Sequence, residues 1–121
     1  GLLDEDLRHR GRVQAGLGRT VGKTFTRKAG TRLQVSYIQL QAPYGDTALL
    51  KLLIGDQSLF PYQLYNVRIY DSHPQPAIEV PADKPLRVEL TCTKPGTDPQ
   101  GTALNSCSVD VMITGTTFAA A

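Results

Sequence analysis

LRVELTC (residues 86–92) and CSVDVMI (residues 107–113) alternate apolar and polar residues with a period of two, the pattern of half-buried β-strands. The first puts Leu86, Val88, Leu90 and Cys92 on one face, and the second does the same with Cys107, Val109, Val111 and Ile113. Setting Cys92 opposite Cys107 in an antiparallel pair also sets Leu90 against Val109, Val88 against Val111 and Leu86 against Ile113. Every inward residue then meets an inward one. The expectation is a hairpin whose long loop, TKPGTDPQGTALNS (93–106), is functional or mobile because it is polar and rich in Pro and Gly.

The segments upstream extend the β reading. LQVSYIQLQ (33–41) carries Leu33, Val35 and Tyr37 on one parity and Ile38 and Leu40 on the other, a phase slip that predicts a bulge or a strand changing sheets. PYGD (43–46) is a turn. TALLKLLI (47–54) is a short apolar run ended by Gly55-Asp56; it reads as a buried strand, with a helix as the alternative. QLYNVRIYD (63–71) alternates Tyr65, Val67 and Ile69 against Asn66 and Arg68 as a half-exposed strand. SHPQPAIEVPADKP (72–85) contains four prolines, so it is an edge or crossover segment with Ile78 and Val80 inward. Short strands, frequent turns and almost no helix predict an all-β chain, a small antiparallel β-sandwich or jelly-roll-like domain over residues 33–121. Its core is expected to hold Leu33, Val35, Leu52, Val67, Ile69, Val88, Leu90, Val109 and Val111.

Residues 1–32 differ in character. They hold Arg8, Arg10, Arg12, Arg19, Lys23, Arg27, Lys28 and Arg32 against three acidic residues, although the whole chain of 121 residues is only +2. Gly11, Gly16, Gly18, Gly22 and Gly30 weaken any helix there. Val13, Leu17, Val21 and Phe25 recur every four residues, as pegs on an extended segment would. This reads as an extended basic N-terminal arm that docks on a partner with an acidic surface. Within it, GLGRTVGKT (16–24) ends like a phosphate-binding loop. The spacing fails: Gly22 needs a glycine at position 17, where Leu17 stands, and a β-like segment follows in place of a helix.

No segment presents a catalytic constellation, and no enzyme activity, cofactor or metal is expected. Cys92 and Cys107 are either facing core thiols or a disulfide; zinc would need four ligands, and the two histidines, His9 and His73, lie far from the cysteines in the sequence. Asp71-Ser72-His73 has the letters of a hydrolase triad, but neighbours in a Pro-flanked turn cannot line up nucleophile, base and orienter. Nucleic acid could be met through the arm by phosphate contacts, yet none of the five tyrosines sits beside a basic cluster to stack bases. No run approaches the ~18 apolar residues of a membrane span, and the acidic opening GLLDEDL is unlike a signal peptide, so a soluble chain is expected.

A small jelly-roll-like body with SVDVMITGTTF as closing strand, few cysteines, and an Arg- and Gly-rich arm resembles, in overall plan, the bacteriophage capsid decoration, or cement, proteins. The resemblance implies a non-enzymatic virion protein, assembled in the host cytoplasm. It would bind a major capsid protein or other virion protein as a trimer or dimer, its arm tying neighbouring subunits together. The alternatives are a nucleic-acid-binding module with a phosphate-contacting arm and a secreted adhesion or pilus-type β domain.

Overall fold

The computed structural model describes residues 5–66 and 68–120, and every regular element among them is a β-strand. The strands are β1 (Glu5–Gly16), β2 (Thr20–Phe25), β3 (Thr31–Gln41), β4 (Thr47–Ile54), β5 (Gln57–Tyr65), β6 (Ile69–Ser72), β7 (Ile78–Val80), β8 (Leu86–Lys94) and β9 (Ser106–Ala119). They form two antiparallel sheets. The first runs β1-β9-β3-β6, with β7 also paired to β3; the second runs β2-β8-β4-β5. The chain is a β-sandwich, as the alternating segments predicted.

The core lies between the sheets and is filled by one parity of each strand: Leu33, Val35, Ile38 and Leu40 of β3, Leu50 and Leu52 of β4, Leu86, Val88 and Leu90 of β8, and Val109, Val111 and Ile113 of β9. The phase slip in LQVSYIQLQ is a bulge, since the pairing of β3 with β9 shifts between Val35 and Tyr37. TALLKLLI is strand, lying between β5 and β8 in its sheet. Ile78 and Val80 of β7 point inward as expected.

Three expectations are corrected. β8 and β9 are not a hairpin; they lie in different sheets, and Cys92 and Cys107 meet across the interior. Alternation identifies a buried face but not the partner along the hydrogen-bonding direction, and two strands facing each other across a core show the same inward sets as two strands side by side. The segment 63–71 is not one strand either. β5 stops at Tyr65, Asn66 takes a left-handed conformation (φ 52°), and the chain crosses to β6 in the other sheet. Ile69 consequently faces outward, 59% exposed, and the expectation for Val67 lies outside the described residues.

The third correction concerns the arm. Within residues 5–25 the chain forms β1 and β2, the edge strands beside β9 and β8, and the boundary drawn at residue 33 falls inside β3. β1 alternates cleanly, with Val13 and Ala15 buried and Arg8, Arg10 and Arg12 outward. Leu17-Gly18 then carries the chain over the rim, Gly18 adopting φ 74°, a value that few residues but glycine reach without strain. A segment too poor in apolar residues to fold alone gains a backbone ladder along one side when a long neighbour offers one.

Candidate interaction surfaces

The arm residues singled out in the sequence are dispersed by this fold. Val13 and Phe25 are core residues at 2% and 5% exposure, while Leu17 and Val21 are exposed, so the four do not form one row of pegs. The cations divide as well. Arg12 is held by Asp110 (Nε to Oδ1 2.9 Å), which raises the guanidinium pKa through the hydrogen bond and the opposite charge. Arg27 donates to the carbonyls of Thr31 (2.9 Å), Pro81 (2.6 Å) and Lys84 (3.1 Å), tying two connections together; burial lowers its pKa. Arg32 lies over the Phe118 ring, 4.4 Å from its centre, and 3.5 Å from Glu79. Lys23 sits mid-strand in β2, its stem against Gly11, and Arg19 closes the turn through its backbone. Lys28 accepts the Thr31 hydroxyl through its carbonyl. Arg8 and Arg10 have no ion pair or hydrogen bond among the described residues.

Gly22-Lys23-Thr24 lies inside β2, antiparallel to Arg87–Glu89 of β8. Such an extended segment offers no concave row of amides for a phosphate. The other suspected letters contact neighbouring side chains, Asp71 and His73 at the surface. Asp71 accepts hydrogen bonds from the Tyr37 hydroxyl (3.1 Å) and Gln39 (3.3 Å), and His73 stacks on Tyr37 at 4.6 Å between ring centres. His9 meets Phe25 edge-on at 6.1 Å.

Two features were not found from the sequence. Asp46, read only as part of a turn, is fully buried; its carboxylate accepts the N–H of Gly96 (2.6 Å) and of Ser108 (2.8 Å). It thereby fixes the start of the long connection 95–105 against β9, beside the cysteine pair. Gly96 packs so closely on the Tyr44 carbonyl that a side chain there would collide with it. The second feature is a groove of about 740 Å3 along the flank where β5 faces β6 and β7, lined by Leu59, Pro61, Tyr62, Tyr70, Pro76 and Ile78 among others. Tyr62 and Tyr70 meet edge-to-face at 5.4 Å. Burial pushes the Tyr62 phenol pKa up; the hydrogen bond with Ser72 opposes the rise and the charge on Tyr70 adds to it. These residues are scattered over four segments, and no local spacing announces them.

Cys92 and Cys107 form a disulfide, both residues almost wholly buried, with Cα atoms 5.5 Å apart. Of the two states left open by the sequence, this is the bonded one. No described helix is long and apolar enough to cross a membrane.

No protein-family model matches the sequence, and no curated protein matches it. Among solved structures, the crystal structure of FLHE aligns with a TM-score of 0.51 at 11% identity, covering 93% of this chain and 96% of that one. Viral coats are also among the structural neighbours. Infectious bursal disease virus Gx strain aligns with a TM-score of 0.40 at 11% identity, over 98% of this chain and 37% of that one. The tobacco streak virus coat protein in its C2 crystal form aligns with a TM-score of 0.39 at 9% identity, over 88% and 85%. The two viral alignments are too loose to carry an argument, and the likeness to FLHE is one of fold: this chain is similar to FLHE in its β-sandwich.

Proposed function

We propose that the chain is a non-enzymatic structural module that works by protein–protein contact in an oxidising setting, such as a virion exterior or the outside of a cell. The observation that carries this reading is the buried Cys92–Cys107 disulfide joining the two sheets. Structural disulfides persist in extracytoplasmic proteins and on virion and cell surfaces, and are rare where glutathione keeps thiols reduced. The polar and titratable groups first suspected of chemistry support the same reading, because each is engaged by a neighbouring side chain: Asp71 with Tyr37, His73 on Tyr37, His9 against Phe25. Capsid decoration fits the oxidising setting but loses its free arm, since residues 5–25 are strands. A secreted adhesion or pilus-type β domain fits without one.

The test is the redox state and company of the protein isolated from its native source. Alkylation of the denatured, unreduced protein is expected to label neither cysteine, and a protein partner is expected to copurify. Two reactive thiols would end the oxidising reading. Copurified nucleic acid without protein would favour the phosphate-binding alternative.

A further inference from the structure

We propose that the edge of β1 is a docking strand for an acidic extended segment of a protein partner, which adds to the first sheet beside β1. The inference rests on the reading of the chain as a protein-contact module. Strand edges present unpaired backbone groups, and proteins usually blunt them. Three of the four flanks here are blunted. β5 carries Pro61 and a break in register between Lys51 and Leu53. β6 and β7 have only four and three residues, with Pro74, Pro76 and Pro81 around them. β2 has six residues.

β1 differs. It runs twelve residues without a proline, in unbroken register with β9 from Glu5 opposite Thr117 to Gly16 opposite Ser106. None of the turn and loop backbone hydrogen bonds of the described residues reaches its first eleven residues, so alternate N–H and C=O groups along its free side point away from the sheet.

Charge selects the occupant. Asp6, Arg8, Arg10 and Arg12 stand on the outer face at every second residue, about 6.7 Å apart along the strand, so the face is acidic at its first position and basic at the next three. Arg12 is matched by Asp110, whereas Arg8 and Arg10 are unmatched among the described residues. A second copy of β1 added antiparallel about Arg10 would oppose Arg10 to its own equivalent and Arg8 to Arg12, which is repulsive. A strand with carboxylates at alternate positions would instead place one beside each free guanidinium while its backbone satisfies the edge. A phosphate backbone would use the charges but leave the edge groups unpaired.

The probe is a synthetic peptide of about ten residues, the upper end of ordinary strand lengths and close to the span of β1, alternating Glu and Thr, added to the intact oxidised chain. The expected result is saturable binding that weakens as salt rises, with slowed amide exchange confined to residues 5–16. The double variant Arg8→Gln/Arg10→Gln should bind about tenfold more weakly, the fold-change of two exposed charge pairs, and keep its fold because both side chains are exposed. Several outcomes overturn the proposal: no binding at millimolar peptide, equal binding of the Gln-for-Glu peptide, no protection of β1, or tighter binding of single-stranded DNA of the same charge. If any of these occurs while a protein partner still copurifies with the native chain, the module reading stands and the β1 assignment alone falls.

Discussion

Cys92 of β8 and Cys107 of β9 are bonded across the interior, linking two strands that share no backbone hydrogen bonds and belong to different sheets. The bridge closes a chain segment with a sequence separation of 15, for which chain-entropy reasoning gives about 3 kcal/mol. Reduction, or Cys92→Ser with Cys107→Ser, is expected to lower stability by about 2 to 4 kcal/mol in urea unfolding. An unchanged midpoint would mean the sheets hold together without the clamp.

Asp46 is the second fixture of that region. Asp46→Ala removes the acceptor for Gly96 and Ser108 and leaves two backbone donors without partners, which should cost about 2 to 4 kcal/mol. Amide exchange at positions 96 and 108 should accelerate more than in the center of β4. If those amides stayed protected, another group would be holding the connection.

Within the former arm, burial separates residues that the sequence treats alike. Phe25→Ala should destabilise by about 3 kcal/mol, because the ring is 5% exposed and its loss leaves a void under Gly11 and His9. Leu17→Ser, at a site 62% exposed, should change stability by less than about 0.5 kcal/mol. Equal effects in thermal unfolding would contradict the edge-strand assignment of residues 5–25.

The flank groove supplies a pH test. Burial holds the Tyr62 phenol pKa above the ordinary value near 10, so the folded state keeps this proton longer than the unfolded chain. The associated stability is fully present below the unfolded value and is lost as pH rises through the folded one. Burial and the neighbouring Asp71 also raise the Tyr37 phenol, so phenolate absorbance should show two late-titrating tyrosines of which Tyr62→Phe removes one, and that variant should lose less stability between neutral and strongly alkaline pH. The phase that survives belongs to Tyr37; a late amplitude unchanged by the substitution would mean Tyr62 titrates normally.

Local alternation marked the inward faces of the central strands, though not of Ile69 or of Leu17 and Val21. Period-two alternation in 86–92 and 107–113, the bulge signalled by Val35 and Ile38, and the strand nature of 47–54 are all local, because a pleated strand sends successive side chains to opposite faces whatever lies beside it. The cysteines were legible as neighbours for the same reason, since both sit on inward faces. Which strand pairs with which was settled by the packing of the whole chain. A strand's neighbour is chosen by backbone hydrogen bonds, which are identical for every residue but proline, and by connections that can turn within a sheet or cross between sheets. So β8 and β9, consistent in sequence with a hairpin, became facing layers joined by a disulfide. The Gly-rich residues 5–25, whose side chains carry little burial, became strands because β9 and β8 had free edges to offer. Asp46, the Tyr62 groove and the unmatched arginines of β1 belong to the same class: their roles come from groups distant in sequence, and no local pattern encodes that distance.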